Sequence, residues 1–218
     1  VQQCMKLLKR TIRRRGVNKY WDEAWTRLQE EQLKKKNVAK SEWKEAGRVS
    51  KANPNKEDGD WWTVNGSTMV DSWINWRKNA AWKIWEVTPG VPAIELGITP
   101  IWNDVPVQMH LDRVMITPDG ELVVLDIKTG SRTPSSDLQL GFYAAGMESV
   151  LGIRPQYGAY WMARDGGIGE MINLDKYTVD SIADMVTKFD TARRQEIFLP
   201  NLNHCVMCGL VKDCKWKQ

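Results

Sequence analysis

Apolar positions recur at helical spacing through the first part of the chain and at alternate positions from Pro92 onward. The segment "NKYWDEAWTRLQEEQLKKK" (18–36) mixes charge with apolar residues three and four apart, which predicts a helix. The basic stretch from Cys4 to Arg15 is read the same way. "KANPNKEDGD" (51–60) is polar and carries Pro and Gly, so it marks the best boundary in the first half. Gly66 to Val87 then reads as an amphipathic helix stopped by Thr88-Pro89-Gly90. Beyond it "AIELGITPIW", "VPVQMHLDRVMI" and "ELVVLDIKT" predict strands, parted by the turn residues Asn103-Asp104 and Pro118-Asp119-Gly120. A helix is expected over 137–150, with Ser136 and Gln139 spaced as a capping box. "YGAYWMAR" and "EMINL" predict a strand pair joined by Asp165-Gly166-Gly167. A last helix over 176–197 precedes a cysteine-rich tail. This order predicts an α/β fold around a mixed sheet, with no internal repeat.

Length and charge sharpen the picture. At 218 residues with 42% apolar content, the chain can bury one sizeable core. No segment approaches the roughly 18 unbroken apolar residues of a membrane helix, and no signal peptide is visible, so a membrane role is not expected. The first residue is Val rather than Met, which suits a fragment or a trimmed chain. Residues 1–51 hold 15 Lys or Arg against 6 Asp or Glu, a net of +9 that leaves −5 for the rest of a chain totalling +4. Such a basic segment suits a polyanion such as nucleic acid, and equally a solvated helix face. Twelve tryptophans are unusually many, and Trp61, Trp62, Trp73, Trp76, Trp82 and Trp85 crowd one region. Most are expected to pack a core or helix interface, with a minority free to stack on unpaired bases.

The stretch "GELVVLDIKTG" (120–130) carries the chemistry. In a strand Asp126 and Lys128 share one face, while Leu125 and Ile127 take the other. The preceding strand supplies Asp112, and the short turn between them predicts a hairpin. Two carboxylates converging there repel unless a cation lies between them. Mg²⁺ suits that position, because it accepts one or two carboxylates, waters and phosphate oxygens. Lys128 would then orient or activate a water. Taken alone, Asp-x-Lys reads more simply as a salt bridge on an edge strand.

Four cysteines complete the inventory: Cys4, and Cys205, Cys208 and Cys214 in a C-x2-C-x5-C tail. A secreted disulfide framework fits poorly in a chain of this size. Four thiolates suit tetrahedral zinc or a [4Fe–4S] cluster, and the spacing alone leaves both open. His204 beside Cys205 is read as a surface or supporting residue.

The run Glu95, Asp112-Arg113, Asp126-Ile127-Lys128-Thr129-Gly130, Gln139 and Tyr143 resembles the RecB-type branch of the PD-(D/E)XK nucleases. Their core reads D-R, then D-x-K-T-G, then Q-x-x-x-Y on the next helix. The resemblance is strong over 92–150. It implies a restriction-endonuclease-like mixed sheet flanked by helices. It further implies Asp112, Asp126 and the Ile127 carbonyl as ligands of Mg²⁺ or Mn²⁺, with Lys128 as the catalytic lysine. Gln139 and Tyr143 would position the site and the DNA strand, and Glu95 would be the upstream acid. One cysteine before the core and three after it is similar to the iron–sulfur staple of the CRISPR-associated RecB-like exonuclease and AddB-type domains. That likeness favours [4Fe–4S] over zinc on Cys4, Cys205, Cys208 and Cys214, in a structural role.

The expected organisation is a helical region 1–90 with the first cluster cysteine, a nuclease core 91–200 and an iron–sulfur tail 201–218. The implied activity is phosphodiester hydrolysis of DNA, exonucleolytic on single strands or ends, in a cytoplasmic protein of bacterial or phage origin. Recombination, replication or CRISPR-adaptation proteins are its candidate partners. One departure matters: relatives carry a histidine on a helix ahead of the first motif, and neither "GSTMVDSWINW" nor the segment after Cys4 has one. The histidines are His110 and His204, and period-two spacing puts His110 on the Asp112 face without making it equivalent. The rival reading is therefore a DNA-binding or end-processing partner of the same fold without a competent site. A zinc-stapled adaptor is a third reading, which leaves the strand acids unexplained.

Overall fold

The computed structural model describes residues 17–36, 57, 59–197, 201, 205, 208–209 and 212–214. The expected basic helix from Cys4 to Arg15, Cys4 itself and most of the 51–60 loop lie outside them. Two helices come first, α1 (Val17–Lys36) and α2 (Gly59–Asn79). Strands β1 (Lys83–Ile84), β2 (Glu86–Thr88), β3 (Val91–Pro92), β4 (Ile94–Ile98), β5 (Ile101–Trp102), β6 (Val105–Pro106), β7 (Met109–Ile116) and β8 (Leu122–Lys128) follow. Helix α3 (Leu138–Leu151) leads to β9 (Tyr157–Met162), β10 (Gly167–Ile168) and β11 (Ile172–Asn173), and α4 (Val179–Arg194) comes last.

The main sheet runs β1-β7-β8-β9-β10, with β4 also on β7 and β11 also on β9. β7 and β8 form the expected antiparallel hairpin, Arg113 opposite Leu125 and Ile116 opposite Leu122. Gly120 turns the chain there at φ +89, a conformation that costs a residue without Cβ little. β8 and β9 are parallel, with Asp126 in register with Tyr160. Parallel neighbours need a long crossover, and α3 provides it. The sheet is mixed and covered by helices on both faces, the α/β architecture that the period change predicts.

Those faces bury different chemistries. Val124 and Leu111 pack with Leu140, Ala144 and Met147 of α3 and with Ile182 and Val186 of α4. Val123, Leu125, Ile127 and Trp161 pack with Trp21 of α1 and with Trp62, Trp73 and Ile74 of α2. The described tryptophans are thus mostly core: Trp73 meets Trp161 edge-on at 5.0 Å, and Trp21 stacks on Trp25 at 5.5 Å. Aromatic pairs of this geometry add about 0.5–1.5 kcal/mol each beyond the area they bury.

Three expectations fail locally. The helix expected over Gly66 to Val87 starts at Gly59 and ends at Asn79. Ala81 takes φ +54, Arg77 Nη1 donates to the Trp82 carbonyl, and Lys83–Ile84 pairs with β7. Apolar Trp82, Ile84 and Trp85 fit helical spacing on paper, but here Trp82 packs against Trp76 and the Trp85 N–H bonds to the Val114 carbonyl. The capping box also does not form. Asp137 holds the N-cap position, but its carboxylate bonds Tyr177 and Lys176 rather than the helix N–H groups, and the Gln139 amide turns to Asp126. Finally, Leu111 and Val114 lie three apart yet join the same apolar cluster, so alternation slips within β7. His110 is exposed, its ring 3.4 Å from where a Gly97 Cβ would be.

Candidate active site

Asp112 and Asp126 lie one step beyond Arg113 and Leu125, the last paired residues of the hairpin. In place of a ladder bond, the Ile127 N–H donates to Asp112 Oδ2 at 2.9 Å. The two strands part at this level, with one carboxylate on each. Asp126 is only 3% exposed. Its Oδ1 accepts from Gln139 Nε2 at 3.0 Å. Its Oδ2 lies 2.7 Å from Lys128 Nζ, an ion contact off the hydrogen-bonding direction that leaves this buried oxygen without a hydrogen bond.

Gln139, at the first turn of α3, ties the constellation together. Its Oε1 accepts from Lys128 Nζ at 2.9 Å, and its Nε2 also donates to Tyr143 Oη at 2.8 Å. Residues four apart share a helix face, so one amide and one phenol reach the same strand end. Asp112, Asp126, Lys128, Gln139 and Tyr143 therefore meet, as the motif spacing implies. Glu95 sits on the next strand, between the paired residues Ile94 and Leu96, in a left-handed conformation (φ +49). Its carboxylate faces Arg113 Nη1 at 3.9 Å. Non-glycine residues in that conformation cost about 1–3 kcal/mol and gather at functional sites.

Burial pushes the Asp126 carboxyl up, against the pull of the Lys128 ammonium, and the Asp112 charge adds to the rise. Burial likewise raises the Tyr143 phenol, with the charges of Asp126 and Asp112 behind it. Tyr143 keeps its proton, and with Oη accepting from Gln139 that proton is available to a ligand. Arg113, 4% exposed, is lowered to about 10 by burial, against the pull of Asp112. Its guanidinium lies 5.8 Å over the Trp73 ring.

Tyr160 belongs to this site and escapes the sequence reading. Its ring lies 5.7 Å from Lys128 Nζ, its hydroxyl donates to the Ser136 carbonyl at 2.9 Å, and burial pushes its phenol up to about 12. The signal was its register with Asp126, which only the parallel pairing reveals.

Across residues 6–215 the chain matches the profile of the PD-(D/E)XK nuclease superfamily. The chain belongs to that superfamily. The Gene 69 protein of Mycobacterium phage D29 is 28% identical over 192 residues, spanning 78% of this chain and 70% of the relative. The PD-(D/E)XK superfamily is one of metal-dependent nucleases, and its fold implies DNA as substrate. The mixed sheet flanked by helices is the restriction-endonuclease-like architecture of that family. No described helix is long and apolar enough to cross a membrane.

Among the described residues, no group of three or more His, Cys, Asp or Glu is gathered as a metal cage. Two carboxylates on parting strands fit a hard divalent ion that fills its remaining positions with water and phosphate. Asp126 Oδ2, held by the Lys128 ion contact and no geometric hydrogen bond, is the donor such an ion would take. In the tail, Cys205, Cys208 and Cys214 carry free thiols, and the Cys208 N–H bonds to the Cys205 carbonyl at 3.2 Å.

Proposed function

We propose that this PD-(D/E)XK protein is a deoxyribonuclease that hydrolyses phosphodiesters exonucleolytically, on single strands or DNA ends, with Mg²⁺ or Mn²⁺. The observation that carries the reading is the pair of carboxylates on β7 and β8 at the point where the strands part, with Lys128 and Gln139 bonded around them. Asp112, Asp126 and the Ile127 carbonyl would hold the ion. That carbonyl leaves the same strand edge as its N–H, which faces Asp112. Bound there, a divalent ion lowers the pKa of water and neutralises charge on the phosphate.

The chain's own residues supply the rest. Gln139 restrains the Lys128 ammonium, leaving its remaining protons to orient a water toward the phosphorus. Tyr143 donates its hydroxyl to a phosphate oxygen and so fixes the strand. Attack by water leaves a 5′-phosphate and a 3′-hydroxyl. The test is degradation of end-labelled single- and double-stranded DNA with Mg²⁺, with Mn²⁺ and with EDTA. Products shortened one nucleotide at a time support the reading, and no cleavage with either metal favours the non-catalytic DNA-binding partner.

Lys128 separates this reading from the salt-bridge one. Lys128→Ala is expected to keep DNA binding and lose about 10²-fold or more in turnover, the range for a group acting on the reacting atoms. Lys128→Arg should restore little, because a guanidinium is planar and larger and does not give up its proton. Parental turnover in either variant would make Lys128 a mere partner of Asp126.

The staple belongs to the same proposal: a [4Fe–4S] cluster on Cys4, Cys205, Cys208 and Cys214, with structural zinc as the alternative. The free thiols and their C-x2-C-x5-C spacing support it. Closing a loop of about two hundred residues removes much unfolded-chain entropy, so the cluster would stabilise strongly. Cys208→Ser is expected to bleach a brown protein and lower its melting temperature. Its DNA affinity should fall with a shallower salt slope as the basic N-terminal segment loses its anchor. A colourless protein containing zinc would select the alternative. A cytoplasmic setting in a bacterial or phage-infected cell goes with this reading, as does company among recombination, replication or CRISPR-adaptation proteins.

A further inference from the structure

We infer that Arg164 is a positioning residue, clasping the exit of the catalytic strand to the helical layer so that Lys128 stays aimed; this rests on the reading of Asp126 and Lys128 as the cleavage site. Arg164 stands in the turn after β9. All three of its guanidinium nitrogens are engaged. Nη1 and Nη2 donate to the two carboxylate oxygens of Glu57 at 2.8 and 2.7 Å, and Nε donates to the Thr129 carbonyl at 2.9 Å. The flat face lies 4.8 Å over the Trp61 ring of α2 and 5.8 Å over Trp62.

An exposed arginine–carboxylate pair contributes little. This one is forked, stacked on indole, and its side chains are only 21% and 14% exposed. That geometry belongs to arginine alone, since lysine offers a single point charge with no plane to stack.

Where the clasp grips gives it a bearing on catalysis. Thr129 directly follows Lys128, and the Lys128 carbonyl itself accepts from the Ala163 N–H at 2.8 Å. Residues 163 and 164 thus hold two successive carbonyls at the end of β8. Beyond them, residues 130–133 are exposed and leave the sheet. The turn is in turn seated on α2, for a Cβ on Gly166 would lie 3.0 Å from Ser72 Cβ. The Lys128 ammonium is placed by its main chain, by the Asp126 carboxylate, by Gln139 and by the Tyr160 ring, and the clasp governs the first of these. A displacement of about 1 Å at a reacting group costs on the order of 100-fold in rate.

The experiment measures kcat, KM and melting temperature on end-labelled DNA for the full chain carrying Arg164→Lys, and separately Glu57→Gln, with Asp126→Asn as reference. Arg164→Lys is expected to lose about 10- to 100-fold in kcat with KM nearly unchanged, the signature of a group lost to the chemical step rather than to binding. Glu57→Gln, which keeps the shape but not the charge, should lose less in the same direction. A rise in KM at parental kcat would make Arg164 a DNA contact and overturn the inference. So would parental values of both, or a kcat loss that disappears when the assay is cooled well below the variant's melting temperature. A dead Asp126→Asn beside a fully active Arg164→Lys overturns the clasp alone. Parental cleavage by Asp126→Asn overturns the site on which it rests.

Discussion

Asp126→Asn is expected to abolish cleavage, by about 10²–10³-fold or more, while making the metal-free protein more stable at neutral pH. The first effect follows from losing an anionic donor at the centre of the charge-stabilising site. The second follows from burial, which raises the folded-state pKa of Asp126 above its ordinary 3.8. The folded protein then holds a proton that the unfolded chain has already released. Stability associated with that proton is fully present below the unfolded value and is lost as pH rises through the folded value. Asparagine has nothing to ionise and still offers an oxygen to Gln139. The melting-temperature difference, variant minus parent, should therefore be smallest at acid pH, grow through that window and level off above it. Thermal melts in EDTA across pH, beside the cleavage assay, check both halves. A difference that is flat with pH would mean that Asp126 ionises in the fold as freely as in water.

Gly66→Ala should unseat the helical layer. A Cβ at Gly66 would lie 1.9 Å from Cζ2 and 2.2 Å from Cη2 of Trp21, a rigid ring with no exposure. That ring is held in place by its Nε1 bond to the Thr63 carbonyl and by stacking on Trp25. Alanine in place of glycine within a helix gains about 0.5–1 kcal/mol. Overpacking of this kind costs about 1–3 kcal/mol, and the upper end applies where ring and backbone must separate. A net loss near 2 kcal/mol lowers the melting temperature of a chain this size by about 4–8 °C. Tryptophan fluorescence should shift red as Trp21 meets water. Melting at the parental temperature would show that α1 yields without cost, and that the indole layer is looser than its contacts indicate.

Much of the candidate site was readable before any fold was known. Asp112, Asp126 and Lys128 could be placed because strand alternation and a tight turn are local properties of the chain. Gln139 and Tyr143 could be placed together because residues four apart on a helix share a face. The same reasoning erred wherever a local rule had a distant competitor. Ser136 and Gln139 have capping-box spacing, but the Gln139 amide is drawn to Asp126 and Lys128. The helix expected to run to Val87 stops at Asn79, because Trp82 and Trp85 satisfy their contacts against α2 and β7 instead.

The amino-acid sequence by itself determined the change of period at Pro92, the hairpin that carries the two aspartates, and the face on which Asp126 and Lys128 stand. Tertiary structure alone decided the phase slip in β7, the left-handed Glu95 beside it, the parallel register that brings Tyr160 under Lys128, and the clasp of Arg164 on Glu57 and Thr129. Periodicity states which way a side chain points from its own element, because backbone geometry repeats every two or 3.6 residues. It carries nothing about which residue of another element stands opposite. That is settled by how sheet and helices pack, and Arg164 and Glu57 meet across 107 positions of chain only once they do.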